Sequence, residues 1–92
     1  MTTDYRDWIN GLRDPLTRAR IQVRVDRLAH GNPGSHRILY EGVAELKIKI
    51  GPGYRVYYTE RNGEVIILLA GGDKSTQRRD IERAIQLARN LE

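Results

Sequence analysis

The residues best able to do chemistry are cations gathered around a tyrosine. Apolar and charged residues alternate strictly in Leu46-Lys47-Ile48-Lys49-Ile50 and again in Tyr54-Arg55-Val56-Tyr57-Tyr58, the pattern of half-buried strands. Gly51-Pro52-Gly53 between them predicts a hairpin with a three-residue loop. That loop sets Ile50 opposite Tyr54, Lys49 opposite Arg55, Ile48 opposite Val56, Lys47 opposite Tyr57 and Leu46 opposite Tyr58. A loop one residue longer or shorter would set apolar against charged, so the pattern itself selects this pairing. One face then carries Lys47, Lys49, Arg55 and Tyr57. Like charges opposite one another cost up to about 1 kcal/mol, so such a face suggests an anion from outside the chain. The plain alternative is a solvated face of an edge hairpin.

A cationic face of this kind can neutralise a phosphodiester and stabilise the extra charge of a pentavalent phosphorane. An RNA substrate brings its own nucleophile, the 2′-OH, leaving the protein to position, deprotonate and stabilise. The base is the difficult part. A lysine titrates near 10.4 and would have to fall by about 3 pH units, about 4 kcal/mol, to be half neutral at pH 7. Neighbouring cations push that way, which makes Lys49, beside Lys47 and facing Arg55, the candidate for a base or a phosphate clamp. No Ser/His/Asp or Cys/His set suits nucleophilic catalysis, there is no P-loop or dinucleotide fingerprint, and the carboxylates are scattered.

The charge distribution points the same way. The net charge is +4, and residues 47–79 hold seven basic side chains against three acidic ones. The flanking segments nearly cancel, so the excess lies in the hairpin and the segment after it, an electrostatic footprint suited to phosphate. The 92 residues suffice for one small domain, 1–92, with a single core. With no cysteine, neither disulfides nor thiolate metal sites can form. His30 and His36 straddle a Gly-Asn-Pro-Gly loop without ligand spacing, so no metal or other cofactor is expected. No apolar run approaches the length of a membrane span and no signal pattern opens the chain, so the expectation is a cytoplasmic protein with no membrane partner.

The elements that must hold this hairpin can be read around it. Tyr5, Trp8, Ile9 and Leu12 share one face of a short helix. Asp14-Pro15 starts a second, with Asp as cap and Pro at the first position. From Leu16 to Ala29 the expected apolar set is Leu16, Ala19 and Val23, with Ile21, Val25 and Leu28, and Arg18, Arg20, Arg24 and Arg27 mostly outside. Gly31-Asn32-Pro33-Gly34 ends that helix, Ser35 to Tyr40 is extended, and Glu41-Gly42 turns the chain. Asn62-Gly63 predicts a two-residue hairpin loop with Arg61 opposite Glu64, Tyr58 opposite Ile67 and Val56 opposite Leu69. Val65 to Ala70 is apolar on both faces and reads as the central strand. Its end then brings Gly72-Asp73-Lys74 to the edge that carries Lys49 and Arg55, the two glycines permitting either a close approach by a ligand or a plain loop. Ser75 or Asp73 caps a last helix with Ile81, Ala84, Ile85 and Ala88 inward. The fold class is α+β, a small antiparallel sheet packed on a helical hairpin and followed by a C-terminal helix.

The run from Val43 through Gly51-Pro52-Gly53-Tyr54-Arg55-Val56-Tyr57-Tyr58, followed by Leu69-Ala70-Gly71-Gly72-Asp73-Lys74-Ser75-Thr76-Gln77, resembles the RelE/ParE toxin superfamily, and within it the HigB-like addiction-module killer proteins. The likeness extends from Trp8 to the C-terminal helix. It implies a toxin of a type II toxin–antitoxin pair, a metal-independent endoribonuclease that cuts mRNA on the ribosome and is silenced by a helix-turn-helix antitoxin. The family's basic catalytic positions correspond to Lys47, Lys49, Arg55 and Lys74, with Tyr57, Asp73, Arg78 and Arg79 as the RNA-binding surround. Two departures stand out. Where many relatives carry a C-terminal tyrosine or histidine, this chain has Arg78, Arg79 and Asp80. Relatives also begin with a strand, for which Met1-Thr2-Thr3 is too short: either the start is truncated or misassigned, or a sheet edge is left open to a partner or to a second copy in a homodimer. ParE-like relatives poison DNA gyrase without cleaving anything, so a binding inhibitor is the rival class; an inactive remnant that binds only antitoxin or RNA is a third.

Overall fold

The computed structural model describes residues 1–63 and 65–91. The chain begins with two helices, each started by a side-chain cap, the second of them expected from the sequence. The hydroxyl of Thr2 accepts from Tyr5 N at the head of α1 (Thr3–Gly11). Asp14 accepts from Leu16 N ahead of α2 (Pro15–Ala29), with Pro15 where its missing N–H costs nothing. Tyr5 is buried, and Trp8, Ile9 and Leu12 pack beside it as their spacing predicts. In α2 the buried stripe is Ile21, Val25 and Leu28 alone. Leu16, Ala19 and Val23 are exposed, a correction to the expected set. Ala19 and Val23 stand two residues out of step with Ile21 and Val25, about 200° round a helix of 3.6 residues per turn.

Four antiparallel strands follow in the order β1-β2-β3-β4: β1 His36–Ile38, β2 Val43–Ile48, β3 Tyr54–Arg61 and β4 Val65–Asp73. A 3-10 turn, Lys74–Thr76, leads into α3 (Gln77–Arg89), so the architecture is the expected α+β. Glu41 and Gly42 join β1 to β2 with φ values of 55° and 78°, as a tight hairpin of right-twisted strands demands. Among the described residues no helix is long and apolar enough to cross a membrane.

The register differs from the expected one in two places. Between β2 and β3, Ile48 faces Tyr54, Lys47 faces Arg55, Leu46 faces Val56 and Glu45 faces Tyr57. Five residues therefore connect the strands instead of three. A two-residue lengthening leaves every side chain on its expected face, so alternation alone could not distinguish the two pairings. Between β3 and β4, Arg61 faces Val65, Tyr58 faces Leu68 and Val56 faces Gly71, with a bulge between Tyr57 and Tyr58. Asn62 and Gly63 do adopt positive φ, yet the loop is one residue longer than expected. The expected partner of Arg61, Glu64, lies outside the described residues.

β4 is an edge strand, not the central one. It is apolar on both sides because α1 lies against one face and α3 against the other. Its free edge is partly occupied, since Thr2 N donates to Leu68 O at 3.0 Å and the Thr2 hydroxyl donates to Leu69 O. Three residues too few for a strand thus still satisfy two carbonyls of the edge. On the α1/α2 side of the sheet the core comprises Tyr5, Ile21, Val25, Leu28, Ala44, Leu46, Ile48, Val56 and Tyr58. On the other side Val43, Tyr57, Leu69 and Ala70 meet Ala84 and Ala88 of α3.

Candidate functional site

The cationic site is assembled where β2, β3 and the end of β4 meet the start of α3. Lys47 and Arg55 are direct cross-strand partners, which places their Cα atoms about 4.5–5.5 Å apart on one face of the sheet. Tyr54 pairs with Asp73 at the end of β4, and the next residue is Lys74. A Cβ built on Gly53 would lie 3.3 Å from Arg55 Nη1 and 3.7 Å from Lys74 Cβ. The bare backbone of Gly53, at φ 81°, therefore lets Lys74 and Arg55 come together. Three of the four expected catalytic cations are thereby neighbours. Lys49 is not among them. It is exposed in the β2–β3 connection and has no cross-strand partner in the ladder, so it does not face Arg55, and the cation expected opposite Arg55 is Lys47 instead.

The residues expected to surround the RNA are dispersed. Tyr57 is fully buried beneath α3, a correction that follows from α3 covering this half of the sheet. Its phenol is held well above its ordinary value, first by burial and then by the Glu45 carboxylate beside it. Asp73 turns its carboxylate onto Ser75, accepting from Ser75 N at 2.8 Å and from the Ser75 hydroxyl, and so caps the 3-10 turn. These bonds hold it below the usual carboxylate range. Arg78 and Arg79 are exposed in the first turn of α3, with Arg79 Nε 3.7 Å from Asp80.

Beneath the cations lies an acid that sequence reading overlooked. Glu45 has no exposed surface, yet it sits in β2 on the Lys47 face. Its Oε2 accepts from Gln77 Nε2 at 2.8 Å. Its Oε1 lies 3.5 Å from Arg37 Nη2 of β1 and 3.8 Å from Arg55 Nε. A carboxylate taken from water is tolerable only with such partners. The signal was present: starting the strand at Val43 instead of Leu46 puts Glu45 in phase with Lys47. Arg37 stands opposite Glu45 in the β1–β2 register, but the short β1 offered no pattern to reveal it.

The paired glycines are explained by the chain's own side chains. A Cβ on Gly71 would stand 2.1 Å from the Trp8 ring, and one on Gly72 would stand 1.9 Å from Asp80 Oδ2. The close approach is therefore internal, with the indole on one face of the sheet and the carboxylate on the other. Asp80 is largely buried and accepts from the Thr76 hydroxyl at 2.5 Å, which fixes the first turn of α3 against the end of β4.

An α+β domain with a meander sheet, a helical pair on one face, and a cluster of cations beside a single helix on the other makes a small, basic protein. The chain belongs to the family described as phage derived protein Gp49-like (DUF891), which matches residues 7–91 and is a RelE-like toxin family of toxin–antitoxin systems. It is 43% identical over 90 residues to an "Uncharacterized protein" of Haemophilus influenzae, an alignment that covers 98% of this chain and 91% of that relative. No solved structure matches it.

Proposed function

We propose that this protein is the toxin of a type II toxin–antitoxin pair and acts as a metal-independent endoribonuclease on mRNA at the ribosome. The observation that carries this reading is the cross-strand pair of Lys47 and Arg55 with Lys74 beside it. Glu45 offsets part of the Arg55 charge from beneath, and an RNA phosphate would relieve the remaining repulsion between the two cations from the open side. Arg55 offers a planar fork and the lysines offer point charges, a combination suited to a non-bridging phosphate oxygen pair. Attack by the adjacent 2′-OH, as it gives up its proton, would form the O2′–P bond and break the P–O5′ bond, leaving a 2′,3′-cyclic phosphate and a 5′-hydroxyl end that takes up a proton, with the cations stabilising the extra charge of the phosphorane. Lys49 is a clamp for a neighbouring phosphate in this scheme. A helix-turn-helix antitoxin in the cytoplasm would silence the protein by covering the same cations.

Primer extension on mRNA after induced expression tests the reading. Discrete cuts within translated frames are expected, and Lys47→Ala should abolish them in a chain that still folds. Intact mRNA with stalled replication would replace this function with gyrase inhibition, and normal growth would leave only an antitoxin-binding or RNA-binding remnant. Lys47→Ala is a cleaner probe than Arg55→Ala, because removing Arg55 also strips a partner from the buried Glu45.

A further inference from the structure

Arg55 has a hydrogen-bond acceptor on one side and, on the other, a carboxylate at ion-pair distance without a hydrogen bond. Its Nη1 donates to Gly53 O at 3.1 Å, its Nε faces Glu45 Oε1 at 3.8 Å, and its side chain is only 13% exposed. Nη2 makes no hydrogen bond among the described residues. Glu45 is held in turn by Gln77 from the first turn of α3. Three buried polar atoms without a hydrogen-bond partner among the described residues meet here, namely Glu45 Oε1, Arg55 Nε and the Tyr57 hydroxyl. A buried acid under a cationic binding face is unfavourable to anion binding on charge alone. Its placement makes sense if it fixes the direction of the cation above it.

We infer that Glu45 is a positioning residue, which holds the Nε edge of Arg55 from beneath so that Nη2 is presented to an RNA phosphate, with Gln77 as the strut that orients Glu45. The inference rests on the RNA reading for its ligand but on geometry for its mechanism. Two opposed consequences separate it from simple electrostatics. Glu45→Gln keeps the side-chain shape and adds one unit of positive charge to the site. Charge alone would tighten RNA binding. Loss of positioning would weaken it, because a freely rotating guanidinium must be ordered anew on binding.

The test uses the full chain and a single-stranded RNA oligonucleotide made uncleavable by 2′-O-methylation, with affinity read by fluorescence anisotropy at fixed salt. Glu45→Gln should weaken binding about tenfold in the wild-type background and less than about twofold in an Arg55→Gln background. Tighter or unchanged binding in Glu45→Gln overturns the inference, and so does an equal loss in both backgrounds, which would indicate a merely structural role. A second measurement needs no RNA. The Arg55 Nε–Hε signal in a nitrogen–proton NMR spectrum should be sharp in the wild type and averaged in Glu45→Gln, with thermal unfolding confirming that the variant is folded. An unchanged signal refutes positioning whatever the RNA result. A wild-type chain that fails to bind RNA, yet shows the NMR change, refutes the RNA ligand and leaves the positioning of Arg55 standing.

Discussion

The two faces of the sheet obey different rules. On the α1/α2 side, side chains from two helices and the strands close over Leu46 and Val56 in a continuous apolar core. On the α3 side a smaller apolar patch occupies one end, and the other end is given to Glu45, Arg55, Gln77 and Asp80. The larger apolar core lies on the first face and the buried charged groups on the second. The sheet lets both coexist because neighbouring residues of one strand point in opposite directions. Leu46 and Glu45, adjacent in β2, are both fully buried, one by hydrocarbon and the other by cations.

Paired truncations should break this contrast most severely. Leu46→Ala is expected to cost about 4 kcal/mol, and Leu69→Ala on the α3 face about 2–3 kcal/mol, since its surroundings are thinner and collapse more easily. Urea unfolding measures both, and equal losses would erase the asymmetry. The adjacent glycines give the next contrast. Gly71→Ala drives a methyl into the packed Trp8 ring and should cost about 3 kcal/mol. Gly72→Ala meets the tip of Asp80, a short side chain that can swing aside, and should cost about 1–2 kcal/mol, felt mainly as loosening of the start of α3. Amide exchange in residues 77–81 would reveal that loosening.

Buried tyrosines refine the comparison with smaller effects. Tyr5 and Tyr57 lie on opposite faces, and neither hydroxyl has a hydrogen-bond partner among the described residues. Burial pushes the Tyr5 phenol up to about 12, while unfolded tyrosine titrates near 10. Its contribution is therefore complete below about pH 10 and is lost as pH rises through the folded value. Tyr57, raised further by Glu45, adds to the same alkaline loss. Tyr5→Phe should gain up to about 1 kcal/mol at pH 7 and flatten the decline above about pH 10, which thermal melts across that range would record. The smallest effect belongs to the fork that joins the faces around the sheet edge. Arg83 of α3 donates to both carboxylate oxygens of Asp4 in α1, at 2.9 and 3.2 Å, holding Asp4 below its ordinary 3.8. Its contribution is present above that value and fades as pH falls below it. Asp4→Asn should therefore lower the melting temperature slightly at pH 7, by an amount that shrinks as pH falls below 3.8, and salt should shrink the difference.

Legibility in the sequence followed the same division. The start of α2 was readable because its cap acts locally, at Asp14-Pro15. The cap expected for the last helix was not found there, since Asp73 caps the 3-10 turn and α3 starts after Thr76 with no side-chain cap bond. The face assignment of the hairpin residues that pair survived because alternation is insensitive to a shift of two. Register did not survive: Gly51-Pro52-Gly53 specifies a turn, but the strands stop pairing at Ile48 and Tyr54. The order of strands was also hidden, since Val65 to Ala70 looks the same whether strands flank it or helices cover it. In the site, the approach of Lys74 to Arg55 could be read, but the sequence set Lys49 opposite Arg55 where the structure sets Lys47. Glu45, Arg37 and Gln77 could not, because they come from three separate elements and meet only after folding.

Arg24 has consequences beyond its own helix. From the α2 side its guanidinium donates to Lys47 O at 2.7 Å, Pro33 O at 2.9 Å and Ser35 O at 3.1 Å. All three acceptors are main-chain carbonyls, so the side chains at those positions can drift without loosening the tie, whereas lysine at position 24 could not span the same fork. The backbone of the strand that carries Lys47 is thus moored from its opposite side, and the same guanidinium laces the loop over residues 33–35, where a Cβ on Gly34 would crowd it at 3.1 Å.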